Sequence, residues 1–232
     1  MELKGLERLT LIDFPDKMAC TIFVFGCNFR CGFCHNPELI TEKRKTRIKE
    51  KDFLNFLKER KEFLDGVCIT GGEPTLYDDL PEFIKNIREI GYSVKLDTNG
   101  TNPEMIEKLL KQNLLDYISM DVKAPINKYE KIANAKVDKE KIKRSIKIIK
   151  NSGIDYEFRT TATPDLTEKD FVEIAKWIKG SKKYYIQQFR PIKTLDKNFE
   201  KRNPIPDEKI IEICNKIKPY FKSCGIRGIN KI

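Results

Sequence analysis

The sequence predicts an α/β protein built on parallel strands, and three observations carry that reading. Six short β-rich runs alternate with segments of helical periodicity, no linker or low-complexity stretch interrupts the alternation, and polar or glycine-containing turns follow nearly every run. The 232 residues suit one domain with a full core.

The strands are expected at residues 18–25 (MACTIFVF), 67–70 (VCIT), 93–97 (SVKLD), 117–121 (YISMD), 155–160 (DYEFRT) and 184–189 (YYIQQF), where β-branched and aromatic side chains concentrate. Between them, Phe53, Phe56, Leu57 and Leu64 share one helical face. Leu80, Phe83, Ile84, Ile87 and Ile90 repeat at helical spacing. Asn102 followed by Pro103 starts the next helix, with Ile106, Leu109 and Leu110 inward. Ile142, Ile146 and Ile149 mark another, closed by Gly153. Thr167 caps a helix carrying Phe171, Ile174, Ala175 and Ile178, and Pro206-Asp207 opens the last, with Ile210, Ile211 and Ile217. Strand–helix alternation implies right-handed crossovers between parallel strands. Six units fall short of an eight-fold barrel, so an open doubly wound sheet and a partial barrel both satisfy the pattern.

Forty-five basic against thirty-five acidic residues leave a net charge of +10. No nucleic-acid recognition motif accompanies that charge, which reads as a Lys/Glu-rich solvated surface. Charge concentrates at 43–47 (KRKTR), a solvated loop or the rim of a partner-docking surface. No apolar run approaches the ~20 residues a membrane helix needs. The opening MELKGLERLT lacks the basic-then-apolar plan of a signal peptide, so the expected location is the cytoplasm.

The odd count of seven cysteines argues against a disulfide framework. Cys27, Cys31 and Cys34 crowd into CNFRCGFC immediately after the first strand. A closed zinc site wants four N/S ligands, usually as Cys-x2-Cys pairs. An electron-carrying [4Fe–4S] centre takes four cysteines, so three thiolates leave one iron open to a substrate. Cys20, Cys68, Cys214 and Cys224 lack ligand spacing and read as small buried hydrophobes. Gly71-Gly72-Glu73-Pro74 follows the second strand; its glycines let backbone approach a ligand closely, and Glu73 suits a positive group. Asp97-Thr98-Asn99-Gly100 follows the third strand, Asp121-Val122-Lys123 the fourth, Arg159 ends the fifth, and Gln188 and Arg190 close the sixth. Ligands of parallel α/β folds bind at that end of the sheet.

The cysteine spacing and the Gly-Gly-Glu strip resemble the radical S-adenosylmethionine (radical SAM) superfamily across nearly the whole chain. The resemblance implies a partial (β/α)6 barrel at about 17–200, an N-terminal extension at 1–16 and a C-terminal helix and tail at 204–232, all in one domain. It implies one [4Fe–4S] cluster on Cys27, Cys31 and Cys34, whose open iron the methionyl group of SAM chelates, and reductive cleavage to methionine and a 5′-deoxyadenosyl radical. Phe33 matches the aromatic near adenine, and Gly71, Gly72 and Glu73 the strip that holds the methionyl amine.

A narrower resemblance, carried by LTLIDFPDKMACTIFVFGCNFRCGFCHNPELI with His35 and Asn36 after the cluster motif, is to the activases of glycyl radical enzymes. It implies that Asp97 and Asp121 help hold a monovalent cation beside SAM, and that Asp121 and Lys123 approach the cofactor; Asn99 and Val122 lie within the same two motifs. LIDFP and QQFRP look most like the activating proteins of anaerobic ribonucleoside-triphosphate reductases. The partners implied are a glycyl radical enzyme and a flavodoxin or ferredoxin as electron donor. Arg190 replaces the family's histidine after strand six, and the Asp-Gly-Pro-Gly of pyruvate formate-lyase activases reads Asp13-Phe14-Pro15-Asp16. His35 is expected to brace the cluster loop, and Asp97 and Asp121 to act as ligand contacts or helix caps. Arg159 and Arg190 are expected to meet buried carboxylates or an anionic ligand group. Alternatives are a pyruvate formate-lyase-type activase, a small-molecule enzyme such as 7-carboxy-7-deazaguanine synthase, and, in another class, a zinc-binding interaction protein or electron carrier.

Overall fold

Eight strands form one sheet in sequence order in the computed structural model, which describes residues 1–41 and 48–229. They are β1 (Leu3–Thr10), β2 (Ala19–Val24), β3 (Gly66–Gly71), β4 (Ser93–Thr98), β5 (Tyr117–Asp121), β6 (Asp155–Ala162), β7 (Lys183–Gln188) and β8 (Ser223–Arg227). Every neighbouring pair from β2 to β8 is parallel, while β1 runs antiparallel to β2. The sheet stays open, with β1 and β8 at its two edges, as a partial barrel requires. The basic run 43–47 lies outside the described residues.

All six expected strands are present, and two more were not foreseen. β1 (LKGLERLT) exposes Glu7 and Arg8 and has no clean alternation, and β8 (SCGIR) has no fully buried residue. Both are edge strands, whose sequence signal is weak because only one side and part of one face are covered. The N-terminal extension thus contributes a strand to the sheet, and the C-terminal tail another.

Helices α1 (Glu38–Thr41), α2 (Glu50–Glu59), α3 (Leu80–Glu89), α4 (Pro103–Lys111), α5 (Tyr129–Ala133), α6 (Lys139–Lys150), α7 (Glu168–Trp177) and α8 (Asp207–Ile217) fill the crossovers. Their starts follow capping chemistry. Asn102 Oδ1 accepts the Met105 N–H at 3.2 Å, and Thr167 and Asp170 form a reciprocal capping box on α7. Leu64 falls past the end of α2 yet packs into the core. Ile22, Val24, Ile69, Leu96, Ile118, Met120, Phe158 and Ile186 are fully buried on the strands; each such side chain contributes about 1.5–3 kcal/mol by leaving water. Cys20, Cys68 and Cys214 are buried, and Cys224 half-buried with its sulfur 3.6 Å from that of Cys214. Tyr184 is core, stacked on Phe221 at 4.8 Å. Among the described residues no helix is long and apolar enough to cross a membrane.

Candidate active site

The carboxyl ends of β2 to β7 surround a cavity of about 300 Å³. Its wall begins with the loop after β2. The chain leaves Val24 through Gly26 at φ +84°, and the three cysteines follow. The Gly71–Gly72 step runs beside this turn so closely that a Cβ on Gly72 would stand 1.8 Å from the Gly26 carbonyl oxygen. Gly72 N–H donates to Val24 O at 2.9 Å and Glu73 N–H to Gly26 O at 2.8 Å. The glycine strip and the cysteine loop are therefore one stitched unit, and only glycine permits the approach.

Cys27, Cys31 and Cys34 all line the cavity. Cys27 Sγ accepts from the Phe29 N–H at 3.3 Å, with Asn99 Nδ2 at 3.9 Å. The loop is braced from behind where Leu195 N–H donates to Cys34 O at 3.0 Å and Asp196 N–H to Gly32 O at 2.9 Å. Burial and the charge of Glu73 raise the Cys27 thiol, and burial pushes Cys31 up to about 12. Among the described residues no three His, Cys, Asp or Glu side chains converge on one point, as a single zinc ion would demand. A cubane binds each thiolate on a different iron, so three thiols lining one cavity, with N–H donors at the Cys27 sulfur, fit a cluster.

Glu73 is buried beside them. Its Oε1 accepts from Thr75 N–H at 3.1 Å, Thr75 Oγ1 at 2.6 Å and Thr98 Oγ1 at 2.7 Å; its Oε2 accepts from Asn99 N–H at 2.6 Å. Burial raises its carboxyl above the usual range, and these donors, all neutral, offset that only in part.

Next to it, the ends of β4 to β6 form a charged wall. Asp97 bonds Lys95 through Oδ1 and Arg159 Nη1 through Oδ2, the latter at 3.0 Å. Asp121 bonds Arg159 Nε through Oδ1 at 3.0 Å and Lys123 Nζ through Oδ2 at 3.0 Å. Deeper, Glu157 takes both Arg227 nitrogens, at 2.7 and 2.8 Å, and the hydroxyls of Tyr117 and Ser119, each at 3.0 Å. Burial opposes ionisation of Asp97 and Asp121, yet Arg159 and the lysines hold both below the usual carboxylate range. Every oxygen of the two aspartates faces a cationic nitrogen of the protein itself.

Of the other expected site residues, Phe33, His35, Gly71, Gly72, Asn99, Lys123 and Arg159 line the cavity. His35 Nδ1 lies 3.1 Å from Ile192 O with the ring stacked on Phe189 at 6.0 Å. Val122 is fully buried and outside the lining; its N–H donates to Arg159 O and its carbonyl accepts from Thr160 Oγ1. Arg190 is exposed beyond β7 and does not line the cavity, although the chain after it returns to the cysteine loop. Thr70, Thr161 and Gln187 were missed. Strand parity could have found Gln187: Gln188 points outward to Ile205 O and Asp207, so its neighbour faces in.

Residues 21–178 match the Radical SAM superfamily model. A protein of Methanocaldococcus jannaschii named "Putative glycyl-radical enzyme activating enzyme" is 40% identical over 98% of this chain and 96% of its own length. The pyruvate formate-lyase-activating enzyme of Clostridium pasteurianum is 27% identical over 87% of this chain and 86% of its own. A 7-carboxy-7-deazaguanine synthase of Aquifex aeolicus is 31% identical over 65% of this chain and 70% of its own. In fold, the chain matches Streptococcus suis SuiB bound to S-adenosylmethionine with TM-score 0.70 and 15% identity, covering 89% of this chain and 49% of that one, about half its length. The chain belongs to the radical SAM superfamily. Within that superfamily its relatives place it with the enzymes that activate glycyl radical enzymes.

Proposed function

We propose that this chain cleaves SAM reductively and installs a glycyl radical on a partner, an anaerobic ribonucleoside-triphosphate reductase, with a flavodoxin or ferredoxin as electron donor. The observation that carries the reading is the meeting of three cysteine thiols, the Gly-Gly-Glu strip and the ends of β4 to β6 in one cavity. Cys27, Cys31 and Cys34 would hold the [4Fe–4S] cluster, which when bound supplies the electron that splits SAM to methionine and a 5′-deoxyadenosyl radical.

The chain's own part is placement. Glu73, a buried carboxylate whose hydrogen-bond donors are all neutral, draws the methionyl ammonium to the glycine strip. Asn99 donates to Asn28 Oδ1 at 2.8 Å and so ties the end of β4 to the cysteine loop. Phe33 is buried against Phe199, ring centroids 6.2 Å apart, and presents an apolar wall to adenine that also excludes water. Asp97, Asp121, Lys123 and Arg159 form a rigid polar floor, and Val122 contributes backbone to it. Arg190 is left to the partner side, since it stands exposed outside the cavity.

The test is anaerobic: reconstituted, reduced protein with SAM and the ribonucleotide reductase from the same source, read by electron paramagnetic resonance with 5′-deoxyadenosine quantified in the same tube. A glycyl doublet with the wild type, and neither doublet nor deoxyadenosine with Cys31→Ala, is the expected result. Deoxyadenosine released on adding a small substrate, with no doublet on any glycyl radical enzyme, would replace the activase reading by the small-molecule one.

A further inference from the structure

Asp97, Asp121 and Arg159 are brought together by register. Asp121 on β5 pairs directly with Arg159 on β6, and Asp97 on β4 pairs with Ser119, two residues before Asp121 on the same face. The small Ser119 leaves the guanidinium room to span both carboxylates, and Arg159 is only 9% exposed. With Lys95 and Lys123 on the outer oxygens, none of the four carboxylate oxygens is without a cationic nitrogen.

We infer that this chain carries its own cation: the Arg159 guanidinium occupies the place between Asp97 and Asp121 that a monovalent metal ion would take, so the cavity works without sodium or potassium. The inference rests on the SAM reading above.

Charge supports it. Lys95, Lys123, Arg159 and Arg227 face Asp97, Asp121 and Glu157, which leaves this wall with one positive charge in excess. A further cation between these aspartates would meet Arg159, Lys95 and Lys123 at close range in a partly desolvated space, where repulsion is felt strongly, while the Glu73 carboxylate is bonded to Thr75, Thr98 and Asn99 instead. A planar guanidinium also spans two carboxylates as an ion does, with directional N–H bonds and with its desolvation already met on folding.

The experiment compares potassium chloride, sodium chloride and choline chloride at equal ionic strength, so that general screening is held constant. Two readouts are taken: the melting temperature of the cluster-free protein, and SAM affinity of the anaerobically reconstituted protein. The wild type is expected to give the same values in all three salts. Arg159→Ala opens a gap between two carboxylates; its melting temperature should fall in choline and rise saturably in potassium or sodium by about 3 °C or more, with SAM affinity recovering alongside.

Saturable dependence of the wild type on either metal ion would overturn the inference, and so would a folded Arg159→Ala protein indifferent to salt. Should Arg159→Ala fail to fold, Arg159→Lys keeps a cation in place: indifference to salt supports the inference, and metal-ion dependence overturns it. Failure of the wild type to bind SAM in any salt would instead sink the function proposed above, while the melting comparison would still decide the question of the ion.

Discussion

Glu73 and Asp121 are both acids at the carboxyl end of the same sheet, and their surroundings are opposites. Asp121 sits between Arg159 and Lys123, with its charge neutralised from two sides. Glu73 is more deeply buried and holds four hydrogen bonds, all from neutral donors. In one wall of the cavity every carboxylate is matched by the protein's own cations; the other keeps, in Glu73, a carboxylate with no ion pair among the described residues, the setting proposed above for a cationic ligand group. A buried acid in the first setting serves the fold, and one in the second is poised for binding.

The largest expected effect breaks the complete wall. Asp121→Ala strands Arg159 and Lys123 with one shared partner gone, and breaking a part-buried network of this kind costs about 3–5 kcal/mol. Urea unfolding of the cluster-free protein measures it. A loss below about 1 kcal/mol would mean that solvent already screens the network and that the contrast between the walls is not real.

The complete wall was hard to read in the sequence. The cysteine triplet, the glycine strip and the Asp-Thr-Asn-Gly and Asp-x-Lys ends were legible because each is a local pattern with its own chemistry. That Arg159 closes on both aspartates is set by the register of three strands, which no local window contains. Lys95 was read only as an ordinary strand residue, yet its inward parity puts an ammonium beside Asp97 in the core. Helices α2, α3, α4, α6, α7 and α8 were legible from periodicity and caps, whereas the short α1 and α5 and the strands β1 and β8 were not, since one helical turn shows no period and an edge strand that is half exposed need not alternate. Arg190 misled for the converse reason: it follows a strand closely, yet stands exposed outside the cavity.

A smaller effect on stability is expected on the open wall. In Glu73→Gln the amide sets one N–H against the Asn99 N–H, a loss of about 1–3 kcal/mol, while removal of an unbalanced buried charge offsets part of it. Net stability should therefore change less than in Asp121→Ala, whereas SAM affinity should fall by about tenfold or more, since each 1.4 kcal/mol of lost charge attraction is tenfold. Calorimetric titration of the reconstituted protein checks the second half. A variant that melts as badly as Asp121→Ala and still binds SAM normally would reverse the roles assigned to the two walls.

Asp170, outside the cavity, gives the scale for an acid that serves the fold alone. It is buried at the start of α7, where Oδ2 accepts from Thr167 N–H at 2.7 Å, Thr167 Oγ1 at 2.8 Å and Lys128 Nζ at 2.8 Å. Burial opposes its ionisation, but Lys128 and the Thr167 donors prevail and hold its carboxyl below the usual range. Asp170→Ala removes the capping box and leaves Lys128 free to hydrate, so the cost is only about 1–2 kcal/mol at neutral pH. The sign of the pH dependence follows from the lowered value. The contribution is complete above the unfolded pKa of about 3.9 and is lost as pH falls through the lower folded one. Urea unfolding of both proteins from pH 7 down to about 3 should show a constant gap that narrows only at the acid end. Glu73 has the opposite sign: its raised value makes the ligand-free protein lose stability as pH climbs from about 4 through the folded pKa. An Asp170→Ala gap that widened on acidification would show that this carboxylate, like Glu73, is strained rather than satisfied by its site, and the separation of binding acids from folding acids would lose its reference point.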